Sequence, residues 1–97
     1  MKVEAEVNLQ TLYLHIYVDG EFIKKCNIGK SPEPYFYKGY FKYKKEHYDF
    51  ILDFIIVHNK IDILMYMYPL YIGYEDNPVK ISITGTLEDY KQNFNNT

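Results

Sequence analysis

Apolar residues recur at every second position through most of this chain, and the phase of the alternation marks out strands one by one. Val3, Ala5, Val7 and Leu9 alternate with Glu4, Glu6, Asn8 and Gln10, a half-buried strand. The apolar set then passes to Leu12, Leu14, Ile16 and Val18. A strand cannot change face silently, so a bulge or tight turn is predicted at Leu9 to Thr11. Asp19-Gly20 signals a turn. A two-residue loop there sets Leu14 against Lys25 and Leu12 against Asn27. A three-residue loop, Asp19 to Glu21, pairs Val18 with Phe22, Leu14 with Cys26 and Leu12 with Ile28. The second register leaves only Lys24 out of place on an apolar face, and it is preferred.

Gly29 to Pro34 reads as a loop whose two prolines disfavour helix. Tyr35 to Tyr43 is an aromatic segment interrupted by Gly39, an edge or bulged strand. Residues 48–57 and 61–71 flank His58-Asn59-Lys60 and form a hairpin. A two-residue loop at Asn59-Lys60 sets Tyr48, Phe50, Leu52, Phe54 and Ile56 against Tyr71, Pro69, Met67, Met65 and Ile63, a face without charge. Glu46, Asp49 and Asp53 would also line one stripe of a helix over 44–57, so an α+β fold is the alternative. Gly73 to Pro78 is a further loop, and Val79, Ile81 and Ile83 mark a last strand. Thr86 to Asp89 has the form of a helix N-terminus, with Asp89 as reciprocal acceptor. Leu87, Tyr90 and Phe94 share a face of the short C-terminal helix that follows, and the final Asn-rich residues fray.

The fold expected is therefore mainly β: an antiparallel meander of about seven strands in a single domain over 1–97, closed as a small barrel or stacked as a two-layer sandwich, with a short C-terminal helix.

The second face of the 48–71 hairpin carries the first functional signal. His47, Asp49, Ile51, Asp53, Ile55 and Val57 meet Asp62, Leu64, Tyr66, Tyr68 and Leu70 there. That face is too apolar to be freely solvated and too charged to be a core. Left uncovered, Ile51, Ile55, Leu64, Tyr66, Tyr68 and Leu70 form a patch of the kind that marks protein interfaces. A second copy, a different partner or the chain's own C-terminal helix would cover it.

The segment 35–48 carries the second signal, with seven aromatics among four lysines and one glutamate. Rings that stack bases beside lysines that follow a backbone suit single-stranded nucleic acid. Strand parity weakens this reading. Tyr35, Tyr37, Phe41 and Tyr43 fall on one side; Lys38, Tyr40 and Lys42 fall on the other with Lys44, leaving Tyr40 as the exposed ring. The candidates for that alternative are Lys38, Tyr40, Lys42, Lys44 and Lys45. The same pattern describes an aromatic core face behind a lysine-guarded edge.

Composition narrows the choice. There are twelve Tyr, six Phe and no Trp, and the net charge is −2. All eleven basic residues are lysine, so the bidentate fork that reads guanine and grips phosphate is missing. The lone Cys26 forms no internal disulfide and is read as a small buried apolar residue. The N-terminal Lys2, Glu4 and Glu6 do not fit a signal sequence, and Phe54–Val57 is too short to span a bilayer. A cytoplasmic, intracellular protein is expected. Asn95-Asn96-Thr97 matches a glycosylation acceptor but is read as unused.

The chemistry-bearing residues do not gather. His47 and Asp49 are two apart on one strand face, but Asp53 lies roughly 13 Å from Asp49 along a strand, too far to share an ion. His15 reads as a surface residue, and Ser31 and Ser82 sit in no nucleophile motif. No metal, cofactor or catalytic residue is expected. The leading expectation is a non-enzymatic binding protein, a homodimer, acting through protein–protein contact. The amino-acid bias toward Lys, Ile, Tyr and Asn, with scarce Ala and no Arg, would follow from an A/T-rich genome and suggests a viral or mobile-element protein that binds a host factor. The alternatives are a single-stranded nucleic-acid binder and a small-ligand site in a tyrosine-lined barrel mouth.

Overall fold

The computed structural model describes residues 1–68, 72–73 and 78–95. Seven strands occur among them: β1 (Val3–Asn8), β2 (Tyr13–Val18), β3 (Glu21–Asn27), β4 (Phe36–Tyr43), β5 (Glu46–Val57), β6 (Lys60–Tyr68) and β7 (Lys80–Thr84), followed by helix α1 (Leu87–Asn95). They form a four-stranded sheet in the order β3-β2-β1-β7 and a three-stranded sheet in the order β4-β5-β6. The mainly β reading with a C-terminal helix holds, and of the two closures it is the sandwich: the sheets do not close into a barrel. The alternative helix over 44–57 is replaced by β5. Its β-branched and aromatic residues find cross-strand partners in β4 over residues 46–53 and in β6 over residues 49–57.

One strand pair departs from a meander. β7 crosses over to run parallel to β1, with Ala5 beside Ile81 and Val7 beside Ile83. The other pairings are antiparallel. The face change near Leu9 is the β1–β2 loop. Asn8 Oδ1 accepts from the Gln10 N–H at 2.8 Å, and the Leu12 N–H reaches the Asn8 carbonyl at 2.8 Å. That loop turns both Leu9 and Leu12 into the core.

The β2–β3 hairpin uses both registers considered for it. A two-residue turn at Asp19-Gly20 pairs Val18 with Glu21 and Tyr17 with Phe22, not Val18 with Phe22. A bulge at Ile23 then shifts the strand, so that Leu14 meets Cys26 as expected. The turn chemistry and the apolar pattern are both satisfied, and one residue is left unpaired.

The β5–β6 register is two residues from the one expected. Phe50 pairs with Met67, Leu52 with Met65, Phe54 with Ile63 and Ile56 with Ile61. The turn residues are His58 (φ 51°) and Asn59 (φ 63°), both left-handed as a type I′ turn requires, and not Asn59-Lys60. A shift of two preserves side-chain parity, so the uncharged face is still the inner one. Pro69 and Tyr71, the partners expected for Phe50 and Tyr48, lie outside the described residues, as does most of the 73–78 loop.

One apolar core joins the two sheets. Leu14, Ile16 and Val18 from the first and Phe41, Phe50, Leu52 and Met67 from the second are essentially inaccessible. Each such side chain contributes about 1.5–3 kcal/mol by burial. Helix α1 closes one end. Its capping box forms as read: the Thr86 N–H donates to Asp89 Oδ2 at 2.9 Å, and the Asp89 N–H to Thr86 Oγ1 at 3.2 Å. Leu87 and Tyr90 are buried, and Tyr90 stacks on Phe54 at 5.3 Å between centroids. Its hydroxyl donates to the Pro34 carbonyl, while Asn93 Nδ2 donates to the Leu9 and Gln10 carbonyls at 3.1 and 2.9 Å.

Candidate interaction surface

The outer face of the β4-β5-β6 sheet is built by strand parity alone. Inner positions are taken by Phe41, Phe50, Leu52, Phe54, Ile63, Met65 and Met67, so the alternate residues must point away. The register arranges them in rows across the sheet. Phe36, Asp53 and Leu64 form one row, Lys38, Ile51 and Tyr66 the next, and Tyr40, Asp49 and Tyr68 a third. Beyond the end of β4 the hairpin continues as two strands, pairing Ile55 with Asp62 and Val57 with Lys60.

Five of the six residues expected at an interface therefore share this face. Ile55, Leu64 and Tyr68 are 42%, 38% and 39% exposed, and Ile51 and Tyr66 are half-buried. Leu70 lies outside the described residues. Val57, at 54% exposed, extends the patch toward the hairpin tip. It is absent from the six expected residues although alternation alone would have included it. Around the tip, Ile55, Val57, His58, Lys60, Ile61 and Asp62 line a depression of about 590 Å³. Helix α1 does not cover this surface, because it packs on Phe54 from the inner side.

Carboxylates are threaded through the patch. Asp49 stands between Tyr40 and Tyr68, Asp53 between Phe36 and Leu64, and Asp62 across from Ile55. Covering a carboxylate without a cation or hydrogen-bond donor is costly. A surface covering this face would have to supply positive groups or hydrogen-bond donors at those points.

The residues of the nucleic-acid alternative fall partly on the same face. Lys38, Tyr40 and Lys42 project outward from β4, while Lys44 and Lys45 make the β4–β5 turn with φ of 49° and 68°. Tyr40 is 63% exposed, as parity required, but Lys24 Nζ lies 3.9 Å from its ring centroid and donates to the Tyr40 carbonyl. Lys38 leans on Phe36 and Lys44 on Tyr43 in the same way. These rings already carry the chain's own cations, and Asp49 sits directly across from Tyr40. A phosphate backbone would meet that carboxylate.

Elsewhere the polar groups serve the fold. Asp19 accepts from the Lys2 N–H at 2.8 Å and from the Tyr43 hydroxyl at 3.3 Å, and the first of these bonds holds its carboxyl below the usual range. Burial pushes the Cys26 thiol up and the Tyr37 hydroxyl up to about 12, where the two meet between the sheets. Ser31 Oγ lies 2.6 Å from the Phe36 carbonyl. His15 packs on Phe22 at 5.7 Å between rings. Among the described residues no three of His, Cys, Asp and Glu converge as metal ligands. The tyrosine-lined barrel mouth has no counterpart, since there is no barrel. Among the described residues no helix is long and apolar enough to cross a membrane.

Comparison with known proteins returns no relative: no family model, no curated protein and no solved structure matches the chain.

Proposed function

We propose that this chain is a non-enzymatic binding protein that docks a partner protein on the outer face of the β4-β5-β6 sheet. The observation that carries the reading is the exposure of Ile55, Leu64 and Tyr68 on one face threaded by Asp49, Asp53 and Asp62. An apolar sheet surface interrupted by carboxylates suits a partner surface that is itself apolar and studded with lysine or arginine. The amino-acid bias toward Lys, Ile, Tyr and Asn with no Arg, which an A/T-rich genome would produce, supports a viral or mobile-element origin, in which that partner is a host protein.

The test compares wild type with Leu64→Lys and Ile55→Lys in pull-downs from host extract, followed by binding measurements with the purified partner. Both positions are exposed, so thermal stability should hold while binding falls at least tenfold. Full binding by both variants would overturn the proposal. Salt-sensitive binding of a labelled single-stranded oligonucleotide, lost in Tyr40→Ala, would favour nucleic acid instead.

A further inference from the structure

We infer that a second copy of this chain pairs with the edge of β7, which has no neighbouring strand among the described residues, antiparallel and centred on Ser82, to continue the four-stranded sheet across a twofold axis. That seam is separate from the proposed docking face, which lies on the other sheet.

The phase of the backbone hydrogen bonds decides which groups this edge presents. The Leu9 N–H donates to the Thr84 carbonyl at 2.8 Å. With Asn8 beside Thr84 in a parallel ladder, the even residues of β7 turn their N–H and C=O toward β1. Ile81 and Ile83 therefore turn theirs outward. No hydrogen-bond partner for those outward groups occurs among the described residues.

The other three sheet edges are blunted. On β4, the outward carbonyls of Phe36 and Tyr40 accept from the Ser31 hydroxyl and from Lys24 Nζ. On β6, the Met67 N–H donates to the Ile72 carbonyl at 2.7 Å and the Ile63 N–H to Asp62 Oδ1 at 2.9 Å. On β3, the bulge at Ile23 breaks the regular edge, and Lys24 and Lys25 follow it. Such devices guard against strand addition. Between Ile81 and Thr84, β7 shows no such device among the described residues; Pro78 and Lys80 lie upstream of that stretch.

The occupant follows from the chemistry of this edge. Alternating outward N–H and C=O groups are recognised by an extended backbone. An antiparallel copy centred on Ser82 sets Ile81 against the partner's Ile83 in hydrogen-bonded pairs. Lys80, the one charged residue of β7, then faces the partner's Thr84, so no like charges oppose. The pairing also covers Ile83, which points to the inner side of the sheet yet is 36% exposed. The edge is thus complementary to itself, as a twofold interface requires.

The experiment is light scattering across a concentration series, with amide exchange measured by NMR at both ends. The mass should rise toward twice 11.7 kDa. The Ile81 and Ile83 amides should slow at least tenfold in the dimer, while the outward Lys25 amide should not change. Ile83→Pro removes one outward N–H without touching the β1 ladder, and Ile83→Lys places a charge at the seam without altering the backbone. Either variant, if folded by circular dichroism, should remain monomeric at concentrations where wild type is dimeric. A wild type that stays monomeric at millimolar concentration would overturn the inference. So would a dimer with unprotected Ile81 and Ile83 amides, or one abolished by Leu64→Lys and untouched by Ile83→Lys.

Discussion

The ring of Phe50 occupies the space that a side chain at Gly39 would need: a β-carbon there would lie 2.5 Å from Phe50 Cζ. The two residues are cross-strand partners on the inner face. Gly39 thus interrupts the aromatic run of β4 without bulging it, and its missing side chain is replaced by its neighbour's ring. Gly39→Ala should cost about 1–3 kcal/mol through overpacking. Combining it with Phe50→Leu should cost less than the sum of the two single changes, because the clash disappears. Urea denaturation of the four proteins measures this, and strict additivity would refute the pairing.

The β5–β6 turn offers a change in the opposite direction. His58 and Asn59 both hold positive φ, which an Asn-Gly pair adopts with less strain. The double change His58→Asn with Asn59→Gly should stabilise the protein by about 0.5–1 kcal/mol, the left-handed strain relieved exceeding the unfolded-state entropy that the added glycine brings. A lowered denaturation midpoint would contradict the type I′ assignment.

The helix cap is a third point of leverage. Thr86→Ala removes the acceptor for the Asp89 N–H and should cost about 1 kcal/mol. Because Tyr90 and Leu87 seat the helix on the core, near-ultraviolet circular dichroism should still show native tyrosine packing below the transition.

Stability should fall at both ends of the pH scale for different reasons. Asp19 has a folded-state pKa held below its ordinary value by the Lys2 N–H, so its contribution is present above the unfolded pKa. It is lost as pH falls through the lower, folded value. Asp19→Asn should flatten that acid limb. Tyr37 and Tyr90 are pushed up to about 12, chiefly by burial, from an ordinary 10.0. The unfolded chain releases these two protons first, so stability declines as pH climbs from 10.0 toward 12. Absorbance titration at alkaline pH should show late-ionising hydroxyls, of which Tyr37→Phe and Tyr90→Phe each remove one.

The carboxylates on the docking face give a binding prediction. Asp49→Asn, Asp53→Asn and Asp62→Asn together should weaken partner binding several-fold and flatten its salt dependence, with little effect on folding. Unchanged salt dependence would mean that the partner brings no cations to these positions.

Local chemistry made much of this architecture legible. Parity places Ile51, Ile55, Leu64, Tyr66 and Tyr68 on one face, and that placement survives a register error of two because two is the period of a strand. The error arises at His58, which takes the first left-handed position of a turn whose usual sequence signal is Asn-Gly or Asp-Gly. At Asp19-Gly20 the two registers look exclusive, whereas the Ile23 bulge lets each hold over part of the hairpin. The parallel β1–β7 pair is invisible in the sequence for another reason. Alternation at Val79, Ile81 and Ile83 announces a strand, but nothing within it specifies a neighbour far away along the chain. The seating of α1 on Phe54 is hidden likewise, since only the assembled sandwich determines which side a helix can reach.

The β1–β7 ladder has a kinetic consequence. β1 can zip onto β2 as soon as both have been synthesised, yet its opposite flank must wait for a strand translated much later. During that interval Val3, Ala5 and Val7 sit in a ribbon with one flank bare. The nascent chain is then most vulnerable to mispairing, and chaperones have their longest opportunity to act.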